Sequence, residues 1–408
     1  MQGGVQVGFS GAPSRRFSRE GCRRRVEQDR QFFLALAGVL LGFGVLMVHS
    51  ASITSRPTEF EQVYLSRHMV FVCLGLAAAT IAAALPAQYW RPLAPVLFLL
   101  TVALLVAVLV PGLGTRVNGS QRWLRYGNLS LQPSELAKLT LPLCLCWLIE
   151  RRRQLLEGWI AGPLVLLLPI GTAVALVLLE PDLGTAMFLL GSAALVLFVS
   201  GFPLRNFIAG AACAIPLAAT LVVLRPYQMK RITGFLAVWS DWKEAPYQLQ
   251  QSLLTLGTGG ISGVGLGKGW QKLSFLPEAN TDFVFAVIGE ELGLVGTLGL
   301  VLLWGGLYAC GLRMLKPLRR DSFEYILGFT LLTQLVVQAA LNIAVVTALV
   351  PPKGISHPLI SYGGSNLVIS LTALGMLLGL TRGERLEAGD ADSLATEDRR
   401  LEQAFRVQ

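Results

Sequence analysis

The residues that could do chemistry lie in polar segments that interrupt long apolar stretches of this 408-residue chain. Asp282 ends the run Pro-Glu-Ala-Asn-Thr-Asp (277–282) and directly precedes an apolar stretch. This position is typical of a helix N-cap, where an acid satisfies free backbone N–H groups. The helix dipole would also keep the carboxylate ionised and able to accept a proton. Asp282 is therefore also a candidate general base.

A second acidic pair, Glu180 and Asp182, interrupts what would otherwise be a continuous apolar stretch from 160 to 200. Turn formation explains the proline, the aspartate and the glycine of the run Glu-Pro-Asp-Leu-Gly-Thr (180–185). It does not explain Glu180. The sequence leaves a structural and a functional role open for this pair.

A buried cation is indicated where Pro133-Ser134-Glu135 predicts the start of a helix. Three-residue spacing places Glu135 and Lys138 on one helical face. The pair could be a surface ion pair. We favour a functional role, because Lys138 is followed by the apolar run 139–147 and an ionisable group that deep is functional by default.

Two further segments have polar or aromatic side chains whose role, structural or functional, the sequence leaves open. Trp123 next to Arg122 could be an interfacial anchor or could stack on a sugar ring. Ser361 and Ser365 belong to a Ser-Tyr-Gly-Gly-Ser run (361–365) at the start of the last apolar stretch. Its glycines permit tight helix contact or an unwound turn, so helix packing and ligand contact both remain open.

The elements that must position these residues are membrane helices. The chain is 53% hydrophobic and 14% charged, with a mean hydropathy of +0.58, whereas soluble domains carry roughly 25% charged residues. A spanning helix needs about 20 mainly apolar residues. We predict an all-α polytopic membrane protein with about ten transmembrane helices, near 32–48, 69–85, 93–110, 136–149, 160–179, 186–200, 207–224, 283–312, 323–350 and 359–380.

Orientation follows from the distribution of Lys and Arg. With the N-terminus inside, 21 of these residues lie in inner segments and 12 in outer ones, so we expect both termini to be cytoplasmic. The net charge of +9 is then an orientation signal, and no aromatic-interleaved basic stripe supports nucleic-acid binding. We expect an Arg-rich, disordered tail (1–31), one membrane domain (32–380) with a long outer loop (225–282) lacking a strong helix pattern, and a polar cytoplasmic tail (381–408).

Seven motifs in order make the chain resemble the SEDS family (shape, elongation, division, sporulation). The resemblance covers roughly 32–380 and is closer to the division member FtsW than to the elongation member RodA. The motifs are Asn-Gly-Ser-Gln-Arg-Trp-Leu (118–124), Gln-Pro-Ser-Glu-Leu-Ala-Lys (132–138), Glu-Pro-Asp-Leu-Gly-Thr (180–185), Tyr-Gln-Leu-Gln-Gln-Ser-Leu (247–253), Gln-Lys-Leu-Ser-Phe-Leu-Pro-Glu-Ala-Asn-Thr-Asp-Phe-Val-Phe (271–285), Gly-Glu-Glu-Leu-Gly (289–293) and Lys-Gly-Ile-Ser-His-Pro-Leu-Ile-Ser-Tyr-Gly-Gly-Ser (353–365).

The resemblance implies an inverting peptidoglycan glycosyltransferase that polymerises lipid II at the outer face of the bacterial cytoplasmic membrane, in septal wall synthesis. It gives Asp282 the role of catalytic base, and it implies a class B penicillin-binding transpeptidase and other division proteins as partners. A divalent cation (Mg²⁺ or Mn²⁺) could help to stabilise pyrophosphate, although no motif demands one. The substrate-binding candidates are Arg122, Trp123, Glu135, Lys138, Asp182, Arg231, Lys272, Ser361 and Ser365.

The chain also departs from the family pattern. Asn280 replaces the histidine that usually precedes Thr-Asp, and this neighbour could have tuned Asp282. Three other functions stay open: a lipid II flippase, an elongation polymerase of the RodA type, and a non-catalytic scaffold. The concentration of distinctive polar motifs in the outer segments favours chemistry at the outer face over transport.

Overall fold

The computed structural model describes residues 14–52, 59–117, 120–126, 129–156, 161–270 and 275–382. Within these ranges the chain is mainly helical, as predicted, and it also contains one small sheet that was not predicted. The twelve helices described are α1 (Ser14–Ser52), α2 (Glu59–Ala84), α3 (Ala87–Leu109), α4 (Pro133–Arg151), α5 (Ala161–Leu179), α6 (Leu183–Val199), α7 (Leu204–Val223), α8 (Pro226–Ser240), α9 (Tyr247–Gly259), α10 (Val284–Leu315), α11 (Phe323–Val346) and α12 (Gly364–Arg382).

Each of the ten predicted apolar stretches falls on one of these helices. Seven helices in the described part of the chain are long and apolar enough to cross a membrane: α1, α2, α3, α5, α10, α11 and α12. Helix α6 is apolar but has only 17 residues. The chain is therefore a multi-pass membrane protein. Helix α1 begins at Ser14, within the tail 1–31 that we expected to be disordered. Residues 1–13 and the tail from 383 lie outside the described residues.

Two polar segments are more regular than the sequence suggested. Between α3 and α4 lies an antiparallel sheet of three strands, β1 (Gly114–Val117), β2 (Ser120–Tyr126) and β3 (Leu129–Leu131), with β2 in the middle. The segment 225–282, predicted to lack a strong helix pattern, contains α8 and α9. Both are amphipathic and short, so their apolar residues are too few to form a spanning stretch.

Helix α4 is the central helix of the assembly. It packs against α3, α5, α6 and α11, and most of its side chains are buried. This position explains how a membrane helix can carry Glu135 and Lys138 near its start and Glu150 and Arg151 at its end. Glu135 and Lys138 face protein rather than lipid, where an unpaired charge costs several kcal/mol. Glu150 and Arg151 are exposed at the end of the helix, and Glu150 pairs with Arg91 of α3 at 3.1 Å.

Helix α10 is broken at Gly293, whose φ of 65° and ψ of −159° are not helical. The loop 259–265 fills the break. Its carbonyls accept from the two residues after Gly293, and its N–H groups donate to the carbonyls of Glu290 and Glu291, with N···O distances of 2.9 to 3.2 Å. Irregular backbone at membrane depth is tolerated only where protein satisfies it in this way.

The glycine-rich loop also supplies partners for two buried carboxylates. The backbone N–H of Trp270 donates to Glu290 at 2.8 Å, and that of Gly267 donates to Glu291 at 3.1 Å. The Ser50 hydroxyl of α1 donates to Glu291 at 2.7 Å. These bonds offset the cost of burying two acids inside a helix.

Helix α12 lies in close backbone contact with α2. A Cβ added at Gly375 or Gly379 would collide with backbone carbonyls at the end of α2, those of Ala79 and Ala82. The two glycines are four residues apart and therefore share one face of α12. Small residues at this spacing let membrane helices approach closely, so that dispersion contacts can hold them together.

We predict that Gly375→Ala lowers the free energy of unfolding in detergent by about 1 to 3 kcal/mol, because the new methyl group would force α12 away from α2. The melting temperature should fall accordingly. The matched control is Gly171→Ala in α5, where an added Cβ meets nothing within 4 Å. It should leave the melting temperature unchanged or raise it, since alanine favours helix. Equal melting temperatures for the two variants would contradict the close contact.

Candidate functional site

Polar segments that lie far apart in the sequence meet at one end of the helix assembly. We call their described residues the site end: 111–117, 120–126, 129–132, 180–185, 225–270, 275–282 and 351–363. The Tyr362 N–H donates to the Asn280 carbonyl at 2.8 Å. The Gln132 N–H donates to the Ser365 hydroxyl at 3.0 Å, just inside α12. The charged side chains of the site end are therefore held by backbone contacts between segments that are far apart in sequence.

Asp282 lies in a turn directly before α10, with its side chain partly exposed. The helix is capped by Phe283 without a side-chain hydrogen bond, so Asp282 does not have the capping role that its position suggested. Its carboxyl faces the segment after α11, since a Cβ added at Gly354 would lie 3.1 Å from Asp282 Oδ2. The carboxyl is therefore available for chemistry.

The backbone of Asp282 is fixed by the side chain of Asn342, which is not among the residues proposed from the sequence. The Asn342 side-chain amide, fully buried in α11, donates to the Asp282 carbonyl and to the Ile355 carbonyl, both at 2.7 Å. The bond joins the start of α10 to the segment 351–363. The signal available in the sequence was a series of three amide side chains, Gln334, Gln338 and Asn342, at successive four-residue spacings in an apolar helix.

Electrostatics correct the expectation that Asp282 is held ionised. Desolvation and the nearby Glu278 carboxylate raise its pKa to about 7, and Arg231 only partly offsets them. Burial disfavours the charged form of a carboxyl, and this effect outweighs the helix dipole here. A carboxyl with a pKa near 7 is well matched to proton abstraction at neutral pH.

Arg122 of β2 clamps the turn between α5 and α6. Its Nε donates to the Glu180 carbonyl at 3.1 Å, its Nη2 donates to the Pro181 carbonyl at 2.7 Å, and its Nη1 lies 3.2 Å from Asp182 Oδ2. Asp182 in turn caps α6 by accepting from the Thr185 N–H at 3.0 Å. All three guanidinium nitrogens are thus engaged, which indicates a positioning role for Arg122.

Glu180 is fully buried beneath this clamp. Neither of its carboxyl oxygens has a hydrogen-bond partner in the described part of the chain. Desolvation, with a smaller contribution from Asp182, raises its pKa to about 8. The carboxyl is therefore mostly protonated at neutral pH, which lowers the cost of burying it without a partner.

Lys138 and Glu135 form an interior ion pair at 2.6 Å, with each side chain about one-tenth exposed. The ammonium also lies 5.2 Å from the centre of the Phe188 ring. Beside the pair is a cavity of about 20 Å³, lined also by Gln338 and Asn366. The predicted helical pairing is confirmed. No described contact joins Lys138 directly to Asp282.

Arg231 is a cation that acts on Asp282. It belongs to α8, donates to the Pro352 carbonyl at 3.3 Å and lowers the pKa of Asp282. Lys353, which is not among the residues proposed from the sequence, is within electrostatic reach of Asp182 and Arg231. Its sequence signal was a single lysine in the polar run Pro-Pro-Lys-Gly (351–354), between two apolar stretches.

For the remaining candidates, no described contact links the side chain to Asp282. The Ser361 hydroxyl accepts from the His357 N–H at 2.7 Å, and the Ser365 hydroxyl donates to the Ser130 carbonyl at 3.0 Å, so both are engaged with backbone. Trp123 follows Arg122 on β2, and consecutive strand residues face opposite sides, so the two cannot share one face of a ligand. Lys272 lies outside the described residues.

The donor set gives no support for a resident divalent cation. No group of three His, Cys, Asp or Glu side chains among the described residues could hold a metal ion. Around Asp282 and Asp182 the acids alternate with Arg122, Lys353 and Arg231, which already supply positive charge.

We predict that Arg122→Met increases hydrogen exchange in both 120–126 and 180–185, because three contacts that join β2 to the turn are lost. Losing a charge-assisted bond and two carbonyl partners should also cost about 1 to 3 kcal/mol of stability. The matched control is Arg125→Met on the same strand, where the side chain is exposed. Exchange in 180–185 that responds equally to both substitutions would contradict the clamp.

Comparisons with known proteins agree with this architecture. The family model described as cell cycle protein (FtsW, RodA and SpoVE) matches residues 30–386. A probable peptidoglycan glycosyltransferase FtsW of Geobacter sp. (strain M18) is 38% identical over 360 residues, covering 88% of this chain and 98% of that protein. The corresponding protein of Thioalkalivibrio sulfidiphilus is 40% identical over 354 residues, covering 86% and 88%.

Two solved structures have the same fold. One, from a study of how a peptidoglycan synthase complex coordinates polymerization and crosslinking, superposes with a TM-score of 0.68 at 32% identity, covering 86% of this chain and 96% of that chain. The rod shape determining protein RodA of Thermus thermophilus superposes with a TM-score of 0.62 at 30% identity, covering 86% and 95%.

Proposed function

Because this chain belongs to the FtsW/RodA/SpoVE family, also called the SEDS family, we propose that it is a peptidoglycan glycosyltransferase that polymerises lipid II. The observation that carries the proposal is the placement of Asp282. A carboxyl with a pKa near 7 lies within electrostatic reach of Arg231 and faces the segment that carries Lys353. A base beside positive charge is the combination that glycosyl transfer to a hydroxyl group requires.

The proposed reaction is a single displacement at the anomeric carbon of the donor glycan, which is anchored by undecaprenyl pyrophosphate. The 4-hydroxyl oxygen of an incoming lipid II forms a bond to this carbon while the bond from the carbon to the pyrophosphate oxygen breaks. The hydroxyl proton goes to the Asp282 carboxylate. The electron pair of the broken bond stays on the pyrophosphate, which leaves with one more negative charge.

The stereochemistry follows from the linkages of the donor and the product. An α-linked pyrophosphate donor that gives a β-1,4 bond has inverted its anomeric carbon. Such a displacement needs one base and a means of stabilising the leaving group, but no covalent nucleophile. Asp282 supplies the base and the cations supply the stabilisation, so an inverting mechanism uses the groups found at the site end.

We propose ten membrane crossings with both termini in the cytoplasm. The excess of Lys and Arg in the segments at the opposite end from the site supports this orientation. The buried position of α4 explains why it can cross although its charges keep it from counting as a typical spanning helix. The site end then faces outward, where lipid II is polymerised.

The contacts refine the roles proposed from sequence. Arg231 lies near the reacting groups, whereas Arg122 and Asp182 position the turn beside them. Glu135 and Lys138 support the site from within, because Gln338 and Asn366 beside them donate to the Ser356 carbonyl at 3.1 and 3.4 Å. Ser361 and Ser365 shape the segment before α12. Trp123 and Lys272 remain candidates for sugar and pyrophosphate contact.

We further propose a septal location at the cytoplasmic membrane and a class B penicillin-binding transpeptidase as partner. The similarity to FtsW proteins and to a member of a peptidoglycan synthase complex supports both points. A lipid II flippase is the second candidate function. It would need polar groups along the whole path, whereas the cations around Asp282 are gathered at one end.

We predict that Asp282→Asn lowers lipid II polymerisation by roughly 100- to 10,000-fold, because an amide cannot accept the hydroxyl proton. Purified protein with labelled lipid II, with and without the transpeptidase, provides the assay. Asp241→Asn is the matched control, since Asp241 is an exposed acid in the same segment. Its activity should stay close to that of the parent.

The result separates catalysis from structure. Stable Asp282→Asn protein that polymerises lipid II within a few-fold of the parent would remove Asp282 as the base. A flippase would show normal lipid II transport in the variant, and the parent protein would form no polymer.

We predict that polymerisation rises with pH along a limb centred near pH 7, because Asp282 must lose its proton to act as a base and its pKa is about 7. Glu278→Gln removes a negative neighbour that raises this pKa. The limb should therefore move to lower pH, and the variant should be relatively more active at pH 6 than the parent.

The control for this shift is Glu244→Gln, which makes the same change at an exposed acid of the segment 225–282. Its pH profile should coincide with that of the parent. A limb that stays in place in Glu278→Gln, or that moves to higher pH, would contradict the assignment of this limb to Asp282.

A further inference from the structure

Lys353 has an ammonium group without an oxygen partner in the described part of the chain. Its side chain is half-buried in the segment between α11 and α12. The nearest polar contact of its Nζ is the Met187 sulfur at 3.5 Å. A thioether is a weak acceptor, so the three N–H donors of the ammonium are poorly satisfied by the protein.

The surroundings place this side chain against the start of α6, in a segment that also faces Asp282. An added Cβ at Gly184 would lie 3.7 Å from Lys353 Cδ, which places the side chain along the start of α6. The next residue, Gly354, is the one whose added Cβ would lie 3.1 Å from Asp282 Oδ2. The segment 353–354 therefore contacts the start of α6 through Lys353 and faces the carboxyl of Asp282 through Gly354.

The charge on Lys353 is only partly compensated. Desolvation lowers its pKa, Arg231 lowers it further, and only Asp182 raises it. Asp182 is already engaged by Arg122 at 3.2 Å. A half-buried cation whose one acidic neighbour is shared is well suited to bind an anion from outside the protein.

Other cations proposed for pyrophosphate are less available. All three guanidinium nitrogens of Arg122 have acceptors within the chain. Lys138 is paired with Glu135 at 2.6 Å and is about nine-tenths buried. An anion that bound either group would have to displace an existing partner, whereas Lys353 would gain one.

We propose that Lys353 binds the pyrophosphate of the glycan donor and stabilises the negative charge that this group acquires as it leaves. The inference rests on the proposed function and adds a substrate-binding residue to it. A donor pyrophosphate is favoured over that of the acceptor, because the anomeric carbon under attack must lie next to both the base and the leaving group. The pyrophosphate of the acceptor lipid II lies a disaccharide away from its attacking hydroxyl.

The test compares Lys353→Met, which keeps the length of the side chain, with Lys353→Arg, which keeps the charge. Lys353→Gln is a second neutral variant in case the methionine variant does not fold. Lys268→Met is the matched control, because Lys268 is an exposed lysine of the same end of the molecule. Each protein is assayed for lipid II polymerisation and for binding of undecaprenyl pyrophosphate and undecaprenyl monophosphate.

We expect the neutral variants to lose roughly 10- to 1,000-fold in kcat, with the KM for lipid II little changed, which is the range for removing one charge-stabilising donor. They should also lose most of the preference for pyrophosphate over monophosphate. Lys353→Arg should retain most of the activity and the preference, and Lys268→Met should match the parent. A merely structural role would not change discrimination between the two lipid phosphates.

The possible negative results separate the role of Lys353 from the proposed function of the protein. Neutral variants that keep the parent kcat and the pyrophosphate preference would overturn the role of Lys353 and leave the proposed function intact. A rise in KM alone would overturn the donor assignment in favour of the acceptor pyrophosphate. A parent protein that binds undecaprenyl pyrophosphate through Lys353 but forms no polymer would instead overturn the proposed function.

Discussion

The side-chain amide of Asn342 donates to two backbone carbonyls, and the geometry of the site end depends on this pair of bonds. One carbonyl belongs to Asp282 and the other to Ile355, each at 2.7 Å. Each bond contributes about 1 kcal/mol, but loss of the amide would leave two carbonyls of the site without a donor. The pair therefore fixes the distance between the start of α10 and the segment with Lys353, which sets where a base and a cation can act on one substrate.

A second constraint is the break in helix α10 at Gly293. An unbroken helix would leave the loop 259–265 without its backbone partners, and this loop connects α9 to the turn that ends at Asp282. The non-helical backbone of Gly293 opens the carbonyls of Glu290 and Glu291 to the loop instead. Asp282 is partly buried just before this helix, and desolvation raises its pKa to about 7. Fold, electrostatics and proposed chemistry are thus linked through one turn.

Much of the helical framework could be predicted from the sequence, because membrane helices are encoded locally by about 20 apolar residues each. The start of α4 at Pro133 and the pairing of Lys138 with Glu135 also follow from local spacing. The small sheet could not be predicted in this way, since its strands have at most seven residues and depend on pairing. Helices α8 and α9 were missed because they are too short to span.

The site was predicted in part, and its limits have a physical reason. The polar segments that would meet could be recognised, because polar groups between membrane helices must gather where protein or water satisfies them. The partners within the site could not be recognised. Arg122 is engaged by carbonyls of the 180–182 turn, and Asp282 is held by Asn342, through contacts between residues at least 58 positions apart. Such contacts leave no periodic signal in one sequence.

The measurement that tests the central claim most directly is the titration of Asp282 itself. Infrared difference spectra of the parent minus Asp282→Asn, recorded from pH 4 to 9, isolate the carboxyl band of this residue from that of Glu180. The account predicts a protonated carboxyl band that disappears as the pH rises through about 7. A carboxyl that is already ionised by pH 5, close to its ordinary behaviour in water, would contradict the claim that the site end holds Asp282 as a base for neutral pH.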